Sequence, residues 1–239
     1  MFRLKILVTG SRGFIGKNLI VELQNRGYTE IYSFDKDTDE ELLAKYTRDC
    51  EFVFHLAGVN RPDNEKEFMD GNFGFTSLLL DSLREHNNTC PIVISSSIQA
   101  ELDNPYGRSK KAGEKLLFDY GKETGAKVLV YRFPNVFGKW CRPNYNSVIA
   151  TFCHNIAHGL PIRVNDRETM LNLVYIDDVV TELINALNGQ ETKVGDYCHV
   201  PVVHSASLGE VADLVVSFKQ SREERSIPSM SDPFTKKLY

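Results

Sequence analysis

A tyrosine and a lysine four residues apart are the side chains best suited to chemistry in this sequence. They stand in the segment Tyr106-Gly107-Arg108-Ser109-Lys110, where helical spacing would place Tyr106 and Lys110 on one face. A phenol with a pKa near ~10 is a poor acid near neutrality unless a cation lowers that pKa, and Lys110 can supply the cation. The spacing alone is weak evidence, because most such pairs lie on solvated helix faces.

A hydroxyl that could complete this pair lies upstream, where the fourth predicted strand ends. Three consecutive serines occupy residues 95–97, and Ser97 could hydrogen-bond the oxygen of a carbonyl group during its reduction. Ser97, Tyr106 and Lys110 therefore form a candidate catalytic set for proton transfer at a carbonyl. The five cysteines contain no CxxC pair, and the sequence predicts no metal site.

The elements that must position these residues alternate along the chain. Short apolar runs predict strands at residues 4–8, 30–34, 51–56, 91–95 and 127–131, with amphipathic helical patterns between them. This alternation favours an α/β fold with a doubly wound parallel sheet, the Rossmann arrangement. The first helix is expected to end at Gly27.

The pattern changes after Gly138. A polar, aromatic loop at residues 139–146 precedes a predicted helix at 148–158, short strands near Ile162 and Leu173, and a helix from Asp177. We expect a Rossmann core at residues 1–138, to which 172–188 returns, and a small, mainly substrate-binding C-terminal lobe at 139–239. Residues 221–239 are charged and weakly patterned, so we expect them to fray unless another element packs on them.

Glycines between the first strand and the first helix predict a dinucleotide-binding loop. A side chain at this tight turn would block the approach of a pyrophosphate to backbone N–H groups, and the helix N-terminus adds partial positive charge. The alternative is a plain strand-to-helix turn. The predicted cofactor contacts of the loop are Gly10, Arg12, Gly13, Phe14, Ile15 and Gly16.

Two further segments fit the same cofactor. Asp35 ends the second strand about twenty residues after the loop, where a carboxylate could accept the adenosine ribose hydroxyls, although a solvated Asp is the alternative. Leu56, Ala57 and Gly58 follow the third strand, and small residues there would let the cofactor pass over the sheet edge. Both segments are predicted to contact the dinucleotide.

These motifs occur in the order typical of an extended short-chain dehydrogenase/reductase, and the chain resembles that family over essentially its whole length. The resemblance rests on TGxxGxxG, HLAG, the serine-rich strand end, YxxxK and the segment RFPNVFG at residues 132–138. It implies that Tyr106 donates a proton, that Lys110 also binds the nicotinamide ribose, and that Ser97 orients the substrate oxygen.

The resemblance extends to residues around this set. It implies that Phe133 contacts the cofactor, that Asn135 lies beside the sugar, and that Asn72 is a helix residue near the site. It also implies a homodimer through helices at residues 65–84 and 106–123. Apolar residues beyond one helical stripe motivate that expectation: Phe73, Leu79, Phe118 and Tyr120.

Four longer segments resemble a narrower group, the capsular polysaccharide reductases that make UDP-2-acetamido-2,6-dideoxy-L-talose. These segments are HLAGVNRP, SSSIQAELDNPYGRSK, FGKWCRPNYNSVIATF and VNDRETMLNLVYIDD. The resemblance implies NADPH-dependent reduction of the C4 keto group of a UDP-4-keto-6-deoxy-N-acetylhexosamine, for capsule or O-antigen synthesis. Relatives carry a C-terminal cupin domain, and the sequence up to Tyr239 contains no cupin histidine cluster. Two alternatives stay open: the sequence is a piece of a longer protein, or it is the reductase alone.

Two departures from the family pattern bear on the substrate site. Only eight residues separate Ser97 from Tyr106, and Leu171 stands where many members carry an arginine to the diphosphate. Other cations must then meet the UDP, and each candidate could equally be a surface charge. The candidates are Lys139, Arg142 and Arg167.

Two rival functions remain open. A nucleotide-sugar 4-epimerase or 4,6-dehydratase would use the same set with retained NAD⁺, but Ile98 and Gln99 occupy the place where a dehydratase usually needs an Asp-Glu pair. A non-catalytic dinucleotide-binding sensor is the second rival, since fold does not fix function. The intact Ser, Tyr and Lys argue against it.

The residues near the predicted ribose site favour different dinucleotides: one carboxylate favours NADH and two cations favour NADPH. Asp35 would accept the ribose hydroxyls of NAD(H) and repel a 2′-phosphate. Arg12 in the loop and Lys36 after the strand could bracket that phosphate, and the resembling reductases use NADPH. We therefore predict NADPH, with NAD as the alternative, and expect Asp35 to turn away from the phosphate.

Composition limits the remaining partners. The net charge of −4 leaves no basic stripe, so we expect neither nucleic acid nor an anionic membrane as a partner. The apolar start of the sequence is too short for a secretory signal, and no stretch approaches the ~18 apolar residues of a membrane span. With an odd number of widely spaced cysteines, the sequence predicts a reduced, cytoplasmic protein.

Overall fold

The structure, a computed structural model, describes residues 3–239. Within this range the chain divides into two compact units. The first runs to Phe133 and takes in Val180–His199, and the second comprises Pro134–Val179 and Val200–Tyr239. Among the described residues, no helix combines the length and apolar character needed to cross a membrane.

The chain up to Phe133 alternates strands with helices. The strands are β1 (Ile6–Thr9), β2 (Ile31–Phe34), β3 (Phe52–His55), β4 (Ile92–Ser97) and β5 (Val128–Phe133). The helices are α1 (Phe14–Asn25), α2 (Glu41–Asp49), α3 (Lys66–Met69), α4 (Phe75–Glu85) and α5 (Pro105–Thr124). A π-helical turn at Asp70–Gly74 joins α3 to α4, and a 3₁₀ turn at Ile98–Glu101 follows β4.

The rest of the chain contributes shorter elements. Its strands are β6 (Asn135–Phe137), β7 (Met170–Tyr175), β8 (Lys193–Val194), β9 (Tyr197–Cys198) and β10 (His204–Ser207). Its helices are α6 (Val148–Ala157), α7 (Ile176–Leu187), α8 (Leu208–Glu223) and α9 (Pro233–Leu238).

The first unit is built on a seven-stranded sheet in the order β2-β1-β3-β4-β5-β9-β8. All neighbouring strands are parallel except β8 and β9, so the predicted parallel α/β sheet is confirmed. From β1 the chain adds β2 on one side and β3 on the other. Ligands of such sheets bind beyond the carboxyl ends of the strands at this switch point. Gly10 follows β1 there, and Leu56 follows β3.

The inner strands β1 and β3 are predictable because the sheet buries them on both faces. Every residue of β1 and β3 is buried, as expected for a parallel sheet covered by helices. Helices α4 and α5 contribute Leu79 and Tyr120 to this core, and both side chains are fully buried. These two residues were expected to face a dimer partner, and that expectation was wrong because they fill the core.

The second unit has a three-stranded sheet in the order β10-β7-β6. Strand β7 pairs parallel with β6 and antiparallel with β10. The predicted strand near Leu173 is confirmed. The predicted strand near Ile162 is wrong, since the chain there is irregular. The Asp166 carboxylate accepts hydrogen bonds from the Glu168 amide and the Thr169 hydroxyl, and such local bonds compete with a strand ladder.

Two boundaries differ from those expected from the sequence. The segment grouped with the first unit is Val180–His199 rather than residues 172–188, because β7 joins the second sheet while β9 pairs with β5. Residues 221–239 are not uniformly irregular. Helix α9 forms within them, and its Phe234 is buried with its ring 5.8 Å from that of Phe137.

Candidate active site

The start of α5 places Tyr106 next to the end of β4. Asn104 caps the helix by accepting the Gly107 N–H at 2.7 Å, and Pro105 occupies the first helical position. Gly107 presses against the 3₁₀ turn, since a Cβ there would lie 2.3 Å from the Gln99 carbonyl oxygen. The first turn of α5 therefore packs directly on the segment that follows Ser97.

The predicted catalytic pair is brought together. Lys110 Nζ lies 5.8 Å from the centroid of the Tyr106 ring, which also packs on the Phe68 ring at 5.6 Å between centroids. Lys110 is 8% exposed and donates to the Ser95 carbonyl at 3.2 Å. Burial lowers the pKa of Lys110 to about 8, although the nearby Glu114 carboxylate acts to raise it.

Ser97 ends β4 and is partly buried. Its hydroxyl accepts the Gln99 N–H at 3.2 Å and so caps the 3₁₀ turn, which fixes the rotamer of the side chain. Phe133 pairs in register with Ser97 at the end of β5. The Phe133 side chain is 5% exposed, and its ring stacks on that of Tyr131 at 5.5 Å.

Sequence reasoning missed an ion pair close to Lys110, between Glu114 and Arg132. Glu114, one turn further along α5, is 2% exposed and accepts hydrogen bonds from Arg132 at 2.9 and 2.7 Å. The Ser96 hydroxyl donates to the same carboxylate, and the Arg132 guanidinium lies 3.7 Å over the Tyr197 ring. The spacing of four residues from Lys110 to Glu114 was the available signal.

The glycine loop forms a cradle that side chains would fill. Gly10 has a φ of +67°, and a Cβ on it would lie 2.6 Å from the Ala57 nitrogen. A Cβ on Gly16 would lie 2.2 Å from the Gly10 carbonyl oxygen. Within residues 3–239, no side chain caps the start of α1 after Gly13. Open N–H groups beside bare backbone fit the pyrophosphate of a dinucleotide.

The residues at the ribose end of the predicted cofactor site are held together by hydrogen bonds. The Asp35 carboxylate accepts the Arg12 N–H at 2.8 Å and the Lys36 N–H at 2.9 Å. The Arg12 side chain forms an ion pair of 3.0 Å with Asp37, a residue that sequence reasoning missed. Arg12 and Asp37 are 65% and 60% exposed in their side chains, so solvent reaches both charges.

Two more predicted cofactor residues and the predicted helix residue lie on the same unit. Leu56 N–H donates to the Thr9 carbonyl at 3.2 Å, and Gly58 has no room for a side chain. A Cβ on Gly58 would lie 2.7 Å from Asn72 Oδ1 and 2.8 Å from Lys110 Nζ. Asn72, in the π-helical turn, therefore lies close to Lys110.

The predicted substrate residues belong to the second unit and are exposed. The Asn135 amide donates to the Asn172 carbonyl at 3.4 Å. Lys139 forms an ion pair of 2.7 Å with Asp177, and Arg167 forms one of 2.5 Å with Asp213. The Arg142 guanidinium lies 5.4 Å from the Tyr145 ring centroid.

The fold and this site define a dinucleotide-binding protein with a Ser, Tyr and Lys set. Residues 6–198 match the family model described as the NAD dependent epimerase/dehydratase family. The chain belongs to this family, which matches the resemblance expected from its motifs.

Among curated proteins, the UDP-2-acetamido-2,6-beta-L-arabino-hexul-4-ose reductase of Pseudomonas aeruginosa is 41% identical over 236 residues. The match covers 99% of this chain and 63% of that protein, so this chain spans less than two thirds of the relative's length. UDP-glucuronate 4-epimerase 1 of Arabidopsis thaliana is 26% identical, over 80% of this chain and 57% of that protein.

Solved structures agree with this placement. The capsular polysaccharide assembling protein CapF from Staphylococcus aureus superimposes with a TM-score of 0.90 at 44% identity, covering 99% of this chain and 63% of that one. The UDP-glucose 4-epimerase of Thermus thermophilus, in complex with NAD, gives a TM-score of 0.77 at 22% identity, covering 95% and 85%. The second likeness supports the fold alone.

The buried Lys110 makes a testable pH dependence. Its folded pKa of about 8 lies below the ~10.4 of an unfolded lysine, so the unfolded chain binds more protons between these values. We expect the Lys110 ¹³Cε signal to titrate near pH 8, and the free energy of unfolding to gain a contribution as pH rises from 8 towards 10. In Lys110→Met both the signal and this contribution should vanish. A Lys110 signal that does not titrate below pH 10 would contradict the prediction.

Proposed function

We propose that this protein reduces the C4 keto group of a UDP-4-keto-6-deoxy-N-acetylhexosamine with NADPH. The observation that carries the proposal is the buried Lys110 ammonium 5.8 Å from the Tyr106 ring, beside the end of the Ser97 strand. The 41% identity to a relative named as a UDP-keto-sugar reductase supports the substrate class.

The chain's own residues account for the proton in this reaction. NADPH, when bound, supplies a hydride to the carbonyl carbon. Tyr106 donates its phenolic proton to the oxygen on which negative charge develops. The Lys110 cation then stabilises the phenolate that is left, and its partial removal from water strengthens that interaction. The Ser97 hydroxyl donates a hydrogen bond to the same substrate oxygen and orients it.

The cysteines support a cytoplasmic setting. All five are free thiols. The Cys50 and Cys90 sulfurs lie 3.8 Å apart. We propose a cytoplasmic setting because the five cysteines are odd in number and widely spaced, which does not suggest a disulfide framework.

Replacing Tyr106 by Phe tests the proton donor. We expect Tyr106→Phe to lower kcat by about 10²–10⁴-fold, the usual contribution of a general acid, with dinucleotide affinity nearly unchanged. Nicotinamide absorbance with a UDP-4-keto-hexosamine measures the rate, and fluorescence titration measures the affinity. Tyr46→Phe, on α2, is the matched control. A Tyr106→Phe rate above about a tenth of wild type would contradict the assignment.

The same assay separates reduction from the epimerase alternative, which the relatives named as 4-epimerases favour. An epimerase retains its dinucleotide and regenerates it in each cycle, so sugar would be converted without net loss of absorbance. A reductase consumes one NADPH for each sugar. Conversion of sugar without net NADPH oxidation would replace the reductase proposal by the epimerase.

Charges at the ribose end support NADPH over NADH. The Asp35 carboxylate accepts one backbone N–H on each oxygen, and these bonds weaken its repulsion of a 2′-phosphate. The Arg12 guanidinium is exposed and forms its ion pair with the exposed Asp37, and such surface pairs contribute about 0–1 kcal/mol. A 2′-phosphate can therefore displace Asp37 and take Arg12, with Lys36 beside it.

Arg12→Ala tests this choice. We expect the affinity for NADPH to fall by about tenfold or more, because charge-assisted hydrogen bonds to phosphate contribute about 1.5–3 kcal/mol, while the affinity for NADH changes little. Arg26→Ala, which removes an exposed arginine at the far end of α1, is the control. Equal losses for the two dinucleotides, or a wild type that prefers NADH, would favour NAD instead.

We further propose a homodimer through α4 and α5. Leu78 on α4 is 47% exposed and Met69 on α3 is 40% exposed, while Phe73 and Phe118 are only partly buried. Light scattering at micromolar concentration should give twice the chain mass, and Leu78→Glu should give a monomer. Val216→Glu, which adds the same charge on α8, should remain dimeric. A monomeric wild type would exclude this proposal.

A further inference from the structure

A buried histidine ends β3 and has no part in the proposed reaction. His55 is 1% exposed, with Nδ1 2.8 Å from the Thr9 hydroxyl oxygen and Nε2 2.8 Å from the Thr76 hydroxyl oxygen. Burial, assisted by the positive charge of Lys110, lowers the pKa of His55 to about 3. The imidazole is therefore neutral near pH 7 and carries one ring proton.

The hydrogen bonds around the ring decide which nitrogen carries that proton. The Thr76 hydroxyl lies 2.6 Å from the Asn72 carbonyl, which can only accept, so its single proton points there. Thr76 must then accept from His55, and the proton is on Nε2. Nδ1 is left as an acceptor for the Thr9 hydroxyl, whose oxygen accepts the Ala57 N–H at 3.4 Å. Each hydroxyl and each ring nitrogen therefore has one consistent role as donor or acceptor in every bond.

This chain of bonds joins the two parts of the candidate site. At one end, Thr9 immediately precedes Gly10 of the cofactor loop. At the other end, Asn72 lies in the π-helical turn, where the Phe75 N–H bonds the Asp70 carbonyl five residues back. Such π-helical turns are frequent at functional sites, where they aim a side chain that a regular helix would turn aside.

The Asn72 side chain connects the hydrogen bonds of His55 and Thr76 to helix α5. Its carboxamide binds the Val59 backbone twice at 3.0 Å, through Oδ1 to the N–H and through Nδ2 to the carbonyl. Nδ2 also donates to the Ser109 hydroxyl at 3.0 Å, and Ser109 donates to the Tyr106 carbonyl at 2.7 Å. Movement of Asn72 would therefore displace the first turn of α5, which carries Tyr106.

We propose that His55, as the neutral tautomer protonated on Nε2, is a positioning residue that fixes Asn72 and, through Ser109, the turn that holds Tyr106. It acts through the Thr76 hydroxyl and touches neither substrate nor dinucleotide. The kinetic test of this inference rests on the proposed reductase function, whereas the spectroscopic test does not.

The spectroscopic test reads the tautomer directly. In uniformly ¹⁵N-labelled protein, the His55 ring should show a protonated Nε2 and an unprotonated Nδ1, without titration from pH 5 to 9; the signals are assigned by their loss in His55→Phe. A ring protonated on Nδ1, or one that becomes cationic within this range, would overturn the inference whatever reaction the protein catalyses.

The kinetic test removes one hydroxyl at a time without changing side-chain shape. Thr76→Val breaks the link between His55 Nε2 and the Asn72 carbonyl, and we expect kcat to fall by about tenfold from misplacement of Tyr106. The KM for the dinucleotide should stay within about twofold, because the Thr9 end of the chain is intact. Thr76→Ser keeps the hydroxyl and should retain most of the wild-type kcat.

The matched control is Thr47→Val on α2. Thr47 is fully buried, donates to the Leu43 carbonyl four residues back at 2.9 Å and pairs with the Ser82 hydroxyl at 2.7 Å, so it loses the same kind of bonds away from the site. Both valine variants should lose similar stability, but only Thr76→Val should lose kcat. Equal kcat values for the two variants would overturn the inference. Absence of turnover in wild type would instead refute the proposed function, and the ring spectrum would still test the tautomer on which the inference rests.

Discussion

A positive charge buried at Lys110 is the constraint on which the rest of the site depends. Removal from water lowers the pKa of this ammonium to about 8, so the protein must supply partners that keep it protonated. The Ser95 carbonyl accepts one of its N–H bonds, and the Glu114 carboxylate raises its pKa from one turn further along α5. A cation kept in this way acts on Tyr106 through a medium that screens it less than water.

Glu114, which helps to keep Lys110 protonated, is itself a buried charge that needs a partner. A carboxylate that is 2% exposed needs its own partner, and Arg132 on β5 binds both of its oxygens. Breaking such a pair generally costs about 3–5 kcal/mol, because the remaining charge is left buried and unpaired. Tyr197 on β9 covers the guanidinium at 3.7 Å, so the hairpin at the sheet edge also supports α5. The charge at Lys110 thus involves one helix, α5, and three strands, β4, β5 and β9.

The sequence predicted the parts of this protein that depend on local pattern. The five predicted strands agree within about two residues because each is a short apolar run, and β1 and β3 are buried on both faces. The Tyr106–Lys110 pair was visible because helical spacing alone aligns it. The partners of His55 and Glu114 were not predictable, since they come from elements brought together only by the sheet order. Leu79 was misjudged for a related reason. A helix covered on two sides has more buried positions than one apolar stripe indicates.

The first unit contains two arginine–carboxylate pairs that differ in burial. One is buried and the other is exposed, and this difference decides how easily each pair can be broken. The side chains of Arg132 and Glu114 are 15% and 2% exposed, so separating them would leave a buried carboxylate without its ion-pair partner at a high cost in free energy. Arg12 and Asp37 are more than half exposed, and an exposed pair contributes too little to resist a competing phosphate. A buried pair can hold α5 in register. The NADPH proposal requires the exchangeable kind of pair, because a bound 2′-phosphate would take Arg12 from Asp37 and its departure would let the pair form again.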